Sequence, residues 1–163
     1  MNLLQTTWLD IICLNVAYRS TPYKGVLVYA DDFKISEADS PRFASHLELD
    51  GVTRKLAQKF SELKLNKEEY MLVKAMLLLN PDIPSLESAD TVQQLRDRMH
   101  DSLLEFEKGR GQNAARRVSH LLFCMPMLMH EKLLATQFWV SIKKQGQVPL
   151  HKLLSEMLEF ATS

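Results

Sequence analysis

Apolar and polar positions along this chain recur mainly with the period of helices. From Leu3 to Ser20 apolar residues occur on nearly every side of a helix, which is typical of a helix covered from both faces. From Leu49 to Leu63 and from Ser88 to Lys108 they recur on one side among charged residues, which predicts two amphipathic surface helices. The segment from Tyr70 to Leu79 carries a single charge, Lys74, and is predicted to be a second central helix. The pattern therefore indicates a mostly helical core.

Residues that favour helix ends refine two of these boundaries. Asn66 precedes the second central helix and Glu69 follows three residues later, a variant of the capping box in which each side chain bonds the other residue's backbone N–H. Asn113 is expected to cap a long apolar helix that reaches Ile142. Pro126 lies inside that run and predicts a kink, because proline has no N–H to donate within a helix.

One stretch has the pattern of strands rather than helices. Val26–Tyr29 and Phe33–Ile35 are short apolar segments, and the residues between them, Ala30-Asp31-Asp32, suit a tight connection. This arrangement predicts a small β-hairpin. Because two strands alone are only marginally stable, the hairpin is expected to lean on the helices.

The end of the chain predicts one more helix, from Val148 to Glu159. Pro149 suits its first turn, where a missing N–H costs nothing. A helix of about three turns is marginal in water on its own and must dock on the rest of the protein. Two interpretations stay open: an ordinary terminal helix that closes a bundle, or a detachable switch with a carboxylate near its end. Its apolar stripe consists of Leu150, Leu153, Leu154, Met157 and Leu158.

Composition excludes several classes of protein. The 163 residues are 46% apolar and 25% charged, the ordinary mixture of one globular domain. Twenty basic and twenty acidic residues leave no net charge, so the chain has no electrostatic footprint for nucleic acid. Cys13 and Cys124 both lie in apolar helical segments and are predicted to be reduced, buried thiols. The most apolar segment, Leu3 to Ala17, is too short to span a membrane, and no signal peptide is recognisable, so we expect an intracellular protein.

The sequence contains no catalytic or metal-binding motif that we recognise. His130-Glu131-Lys132 begins like a zinc-protease motif but lacks the second histidine. Gly109-Arg110-Gly111 follows a helix instead of joining a strand to a helix, so it is not a phosphate-binding loop. Arg19 is the exception, because a guanidinium at the end of an apolar helix must reach a partner, water or a ligand, and Tyr29 could face the same cavity. A purely structural arginine is the alternative. We expect no catalysis and no bound metal in this chain.

Four segments are distinctive as an ordered set. They are WLDIICLNVAYRS from Trp8, LVYADD from Leu27, LKLNKEEYMLVKAMLLLNPD from Leu63 and VPLHKLLSEMLE from Val148. In this order they resemble the ligand-binding domains of nuclear receptors, and most closely those of the estrogen-related receptors. The resemblance implies an all-α, three-layer helical sandwich with one small two-stranded β-hairpin, and a partial ligand-binding and activation domain over residues 1–163.

The resemblance also carries expectations about what lies outside this sequence. Met1 would fall just before the central helix of the domain, so the first three helices and the zinc-finger DNA-binding domain would be absent from this chain. Zinc and DNA contact are then expected only through that absent domain. The expected location is the nucleus, with no membrane partner.

A pocket for a small hydrophobic or phenolic ligand is a further implication. Arg19 would match the family's pocket arginine, which pairs with an acid on the third helix and meets a phenolic oxygen of the ligand. Phe138 falls where estrogen receptors and their orphan relatives tend to carry a histidine. The rings of Phe138 and Trp139 would fill the cavity and hold the tail helix docked without ligand. The implied pocket residues are Leu9, Ile12, Cys13, Val16, Arg19, Tyr29, Phe138 and Trp139.

The tail would correspond to the family's activation helix, which helps to form a groove for a coactivator's LxxLL helix. Glu156 would be the carboxylate half of a charge clamp, whose opposing lysine belongs to the third helix. A carboxylate suits the N-terminal end of the bound helix, where unsatisfied N–H groups and the helix dipole favour negative charge. The implied groove residues are Met1, Leu4, Gln5, Leu153, Glu156 and Met157.

The run from Ala114 to Trp139 resembles the family's dimerisation helix, with Arg116, Arg117 and Lys132 on its outer side. The parent receptor is then expected to form a homodimer. The alternative is that the apolar face of this run is all core.

Taken with the resemblance, the sequence predicts a domain that recruits coactivators and regulates transcription, either modulated by a ligand or constitutive. The rival interpretation is a non-catalytic helical scaffold or adaptor whose tail belongs to the core. An enzyme built around Arg19 is a third and weaker alternative.

Overall fold

The computed structural model describes residues 3–43, 47–83, 86–111 and 113–162. Within these ranges the chain is mostly helical, with one antiparallel pair of strands. The elements are α1 (Leu3–Ser20), β1 (Val26–Ala30), β2 (Phe33–Ser36), α2 (Ser40–Phe43), α3 (Leu47–Glu62), α4 (Lys67–Leu78), α5 (Ala89–Gly109), α6 (Ala114–Leu122), α7 (Met125–Gln145) and α8 (Lys152–Thr162).

Helix α1 is the centre of the structure, as its apolar sequence predicts. It packs against α3, α4, α7, α8 and β1, while α5 packs on α4 and α6 farther out. Leu9, Leu14 and Ala17 are almost fully buried in the resulting core. Each buried leucine of this kind stabilises the fold by roughly 1.5–3 kcal/mol relative to an exposed one.

One side of α1 departs from the prediction that the helix is covered from both faces. Gln5, Ile12 and Arg19 are exposed, and they recur every seven residues along one stripe of the helix. Ile12 is 46% exposed. The described part of the chain therefore leaves α1 exposed along this stripe and does not cover the helix from both faces.

The hairpin is confirmed where the sequence predicts it, and it rests on the end of α1. Leu27 pairs with Ile35, and the register shifts between Val28 and Ala30. The buried N–H of Val28 donates to the Ser20 hydroxyl at 2.8 Å, which joins the first strand to the last residue of α1. The hairpin is therefore stabilised by a helix, as a two-stranded piece requires.

The capping box at the start of α4 is also confirmed. The Glu69 N–H donates to Asn66 Oδ1 at 2.8 Å, and the Asn66 N–H donates to Glu69 Oε2 at 2.9 Å. Asn113 caps α6 by accepting from the Arg116 N–H at 3.1 Å. These two helix starts were predicted from the sequence alone, because the interactions that fix them are local.

The long apolar run after Asn113 is two helices and not one kinked helix. Helix α6 ends at Leu122, and α7 begins at Met125 with Pro126 in its first turn. Proline is favoured in the first turn of a helix, because its missing N–H has no partner there in any case. The prediction of a kink at Pro126 was therefore wrong, because one helix ends and another begins near this proline.

The tail helix begins later than predicted. Gly146 ends α7 in the left-handed conformation with φ 63°, and α8 runs only from Lys152. His151 occupies the start of α8, since its Nδ1 accepts from the Leu153 N–H at 3.3 Å and its carbonyl accepts from the Ser155 N–H at 3.0 Å. Pro149 consequently lies in the connection before the helix and not in its first turn.

Candidate functional site

The tail helix α8 is docked on the rest of the fold. It packs against both α1 and α7, and Leu158 is 1% exposed within the main core. Leu150, Leu154 and Met157 are partly buried against the same core. Lys143 Nζ also lies 2.6 Å from Glu159 Oε1, an ion pair that joins α7 to α8. The docked side of α8 is therefore apolar, with a charged contact at its edge.

The other side of α8 faces solvent and carries part of the predicted groove. Leu153 is 58% exposed although it belongs to the apolar stripe that the sequence predicts. Glu156 is exposed three residues later, so the two side chains are neighbours on the helix surface. Lys152 Nζ lies 3.8 Å from Glu156 Oε1, a surface pair that contributes little to stability. An amphipathic partner helix can bind to an exposed leucine that lies beside an exposed carboxylate.

The predicted groove residues of α1 lie near its start. Leu4 is 48% exposed and Gln5 is also exposed, on a helix that α8 contacts. Met157 is half-buried against the core and links the docked side of α8 to its outer side. Met1 lies outside the described residues. Leu4, Gln5, Leu153 and Glu156 are thus exposed, and their joint role in a groove stays a prediction.

The eight predicted pocket residues differ in burial, and Phe138 and Trp139 are intermediate. Leu9, Cys13 and Val16 are buried in the core. Ile12 and Tyr29 are exposed by 46% and 36% of their surface. A surface cavity of about 730 Å³ lies elsewhere, where residues 20–27 face α3, and none of the eight lines it.

Arg19 is exposed and touches the hairpin. Its Nη1 donates to the backbone carbonyl of Tyr29 at 3.2 Å. Burial raises the pKa of the Tyr29 phenol to about 12, so the phenol stays protonated and can donate. Arg19 therefore contacts the backbone of Tyr29 and not its phenol, and a cavity shared by the two side chains stays a prediction.

Phe138 and Trp139 lie next to each other on α7. Their ring centroids are 5.3 Å apart at an interplanar angle of 66°, an edge-to-face contact. Trp139 is half-buried and packs against the main core. The two rings add apolar surface to α7, the helix against which the tail helix α8 packs.

A buried salt bridge joins α4 to α6, and sequence reasoning missed it. Glu69 is fully buried and accepts from Arg117 twice, from Nε at 2.6 Å and from Nη2 at 2.9 Å. Burial alone would raise the pKa of the Glu69 carboxyl, but the hydrogen bonds from Arg117 and the Asn66 backbone outweigh it and lower that pKa. Glu107 is also fully buried, and its pKa is raised by burial and by Glu69. Glu107 is consequently favoured as the neutral acid beside the ionised Glu69.

A second ion pair joins α1 to α7. Lys132 Nζ lies 2.7 Å from Asp10 Oδ2 and donates to the Thr6 carbonyl at 3.1 Å. Asp10 is 7% exposed. The prediction that Arg117 and Lys132 lie on the outer side of this run is therefore wrong, because both turn inward to buried carboxylates. Arg116, by contrast, is exposed as predicted.

The outer side of α7 is apolar instead. Met129 is 68% exposed and Leu133 is 55% exposed, one turn apart on the same face of the helix. Phe123, just before α7, is 72% exposed. Single exposed apolar residues are ordinary, but a stripe of them along one helix indicates a contact surface.

In the described ranges, no group of three or more histidine, cysteine, aspartate or glutamate side chains is arranged to hold a metal ion. No helix among the described residues is long and apolar enough to cross a membrane.

Comparison with known proteins defines the class to which this fold and site belong. The family model described as the ligand-binding domain of nuclear hormone receptor matches residues 1–137. The chain belongs to this family, and the all-α fold class predicted from the sequence is confirmed. Nuclear receptors are non-enzymatic transcription factors.

The individual relatives point to one branch of the family. Over 159 residues the chain is 39% identical to the human estrogen-related receptor gamma and 40% identical to the human steroid hormone receptor ERR2. It is 29% identical over 173 residues to estrogen receptor beta of Anguilla japonica. These alignments cover 98–99% of this chain but only 30–36% of the relatives, so the chain spans about a third of their length. The predicted relationship to the estrogen-related receptors is confirmed.

Proposed function

We propose that this chain recruits LxxLL-type coactivator helices and so regulates transcription in the nucleus, with α8 as its activation helix. One observation carries the proposal: α8 is docked through the buried Leu158 while Leu153 and Glu156 on the same helix stay exposed. A helix that only closed a core would bury its apolar stripe and need no exposed leucine next to a carboxylate. DNA contact and zinc would belong to a separate domain of the receptor.

The chemistry of the exposed side suits one kind of partner. Leu153 and Leu4 offer apolar surface for the leucines of an amphipathic helix, which uses anchors at i, i+3 and i+4. Glu156 offers a carboxylate for the unsatisfied N–H groups at the start of that helix. The rival scaffold function assigns Glu156 no binding role.

Glu156→Lys should abolish or strongly weaken the binding of an LxxLL peptide, by at least about tenfold in Kd, or about 1.4 kcal/mol. The free energy of unfolding should change by less than about 0.5 kcal/mol, because Glu156 is exposed. Fluorescence anisotropy with a labelled LxxLL peptide and no added ligand measures the first, and urea denaturation the second.

Glu105→Lys is the matched control, since it reverses an exposed charge on α5, which packs on α4 and α6. It should leave peptide binding unchanged. Equal binding by all three proteins would favour the scaffold function and contradict the proposal.

We further propose that a small hydrophobic or phenolic ligand binds along the exposed stripe of α1, where Ile12 offers apolar surface and Arg19 a guanidinium. The packing of Phe138 and Trp139 on α7 supports docking of α8 without such a ligand. Binding of the LxxLL peptide to the unliganded wild type would support this constitutive state.

The partner for the exposed stripe on α7 is proposed to be a second copy of the receptor. Leu133→Glu should shift the monomer–dimer equilibrium toward monomer by at least about tenfold, because it places a charge in an apolar contact. Sedimentation equilibrium measures the shift. Met71→Glu, which alters a 51% exposed residue on α4, should have no such effect. A dimer that survives Leu133→Glu unchanged would exclude this face as the interface.

A further inference from the structure

Glu131 is a buried acid for which the proposed function has no use. It lies on α7, is 2% exposed and faces α1 and α3. Its Oε1 lies 2.7 Å from the hydroxyl oxygen of Thr53 on α3. Its Oε2 is buried and has no hydrogen-bond partner within the described residues. A carboxylate in this position would carry its charge into the core with only the Thr53 hydroxyl and the Cys13 thiol as hydrogen-bond partners among the described residues.

The nearby cations are already bound to other groups. Lys132 pairs with Asp10 and donates to the Thr6 carbonyl. Arg54 pairs with Asp50 at 2.7 Å and donates to the carbonyls of residues 25 and 35. Neither forms an ion pair with Glu131, so the cost of burying a charge there is not offset.

The single hydroxyl hydrogen of Thr53 indicates whether Glu131 is protonated or ionised. The Thr53 hydroxyl oxygen lies 2.9 Å from the Leu49 carbonyl and 2.7 Å from Glu131 Oε1. A hydroxyl has one hydrogen to donate, and the carbonyl can only accept. If that hydrogen goes to Leu49, the contact with Glu131 is a hydrogen bond only when Glu131 carries the proton and donates to Thr53. A neutral Glu131 satisfies both contacts, whereas an ionised one satisfies only one of them.

We propose that Glu131 is a neutral acid donating to Thr53 in the folded chain, and that the junction of α1, α3 and α7 is a proton-linked contact that loosens as pH rises. Helix α8 packs on α1 and on α7, two of the three helices that form this junction.

The electrostatic surroundings agree with this assignment. Burial raises the pKa of Glu131 to about 7, and the hydrogen bonds from Thr53 and Cys13 offset only part of that rise. The charged groups of α8 are engaged elsewhere, with Lys152 near Glu156 and Lys143 near Glu159, and His130 on α7 faces Glu48 at the surface. The titratable and charged groups that face the junction are Asp10 and Cys13 from α1, Tyr29 from β1, Asp50 and Arg54 from α3, and Lys132 from α7.

The sign of the pH dependence follows from the raised pKa. Glu131 binds its proton more tightly in the folded chain than in the unfolded chain. The stabilisation is therefore complete below the ordinary glutamate pKa, is lost as pH rises toward 7, and changes no further above that.

Glu131→Gln tests the proposal, because the amide can still donate to Thr53 and is neutral at every pH. Between pH 5 and pH 7.5 the folding equilibrium constant of the wild type should fall roughly fiftyfold relative to that of the variant. Urea denaturation of the full chain at both pH values gives the ratio. Parallel pH profiles for the two proteins would overturn the proposal.

Two further measurements test the same proposal if Glu131→Gln folds poorly. The carboxyl ¹³C resonance of Glu131 in the folded wild type should titrate with a midpoint near 7, and an ionised carboxylate at pH 5 would overturn the proposal. Thr53→Ser, which keeps the hydroxyl, should retain the wild-type pH dependence. A loss of that dependence in Thr53→Ser would show that it does not arise from the hydroxyl contact.

Discussion

Arg117→Met should lower the free energy of unfolding by about 3–5 kcal/mol, the largest loss expected from a single change outside the apolar core. Glu69 is fully buried, and Arg117 is the cation that binds it, through two hydrogen bonds of 2.6 and 2.9 Å. Without Arg117 the Glu69 carboxylate remains in the core beside a second buried acid, Glu107. Urea or thermal denaturation at neutral pH measures the loss.

A double change distinguishes the cost of an unpaired charge from the loss of packing. Glu69→Gln combined with Arg117→Met should recover most of the loss, because the amide is neutral and its oxygen can still accept from the Asn66 N–H in the capping box. Arg116→Met is the matched control on the exposed neighbour and should change stability by less than about 0.5 kcal/mol. A loss below about 1 kcal/mol for Arg117→Met would contradict the assignment of this pair as a buried salt bridge.

The same residues show what the sequence could predict and what it could not. Asn66 and Glu69 are three residues apart, so their mutual capping could be predicted from spacing alone. Arg117 lies 48 residues farther along, and its pairing with Glu69 depends on how α6 packs against its neighbours. Periodicity predicted that this run is a helix but not which way each arginine turns, so Arg117 was placed on the outer side. The only signal in the sequence for such a pairing was a charged residue within an apolar helical run, since a charge that becomes buried needs a partner.

The residues of the proposed site divide in the same way. The resemblance predicts a binding role for Leu153 and Glu156, but the apolar stripe alone would have placed Leu153 in the core, where Leu158 lies and Leu153 does not. Glu131 was noticed only as part of an incomplete zinc motif. Its burial against Thr53 is a tertiary contact between α7 and α3, 78 residues apart, which no local pattern records. Local interactions were therefore predictable, and the partners of buried charges were not.

Leu158→Ala should undock the tail helix, at a cost of about 2–5 kcal/mol in the free energy that holds it in place. Leu158 is 1% exposed and is the deepest apolar anchor among the described residues of α8. A helix of 11 residues is marginal without tertiary contacts, so loss of this anchor releases α8 before the rest of the fold. Hydrogen exchange should show faster exchange of the α8 amides while those of α1 and α5 stay protected. LxxLL peptide binding should fall together with the protection of α8.

Leu153→Ala is the matched change that separates docking from binding. The same residue type is altered on the same helix, but Leu153 is 58% exposed, so the protection of α8 should stay within about 0.5 kcal/mol of the wild type. Peptide binding should nevertheless weaken by at least about tenfold if Leu153 contacts the leucines of the bound helix. Unchanged binding by Leu153→Ala would mean that the exposed side of α8 contacts no partner. Unchanged protection in Leu158→Ala would mean that α8 is held by contacts other than its buried leucine, and the tail would then be a fixed element rather than a switch.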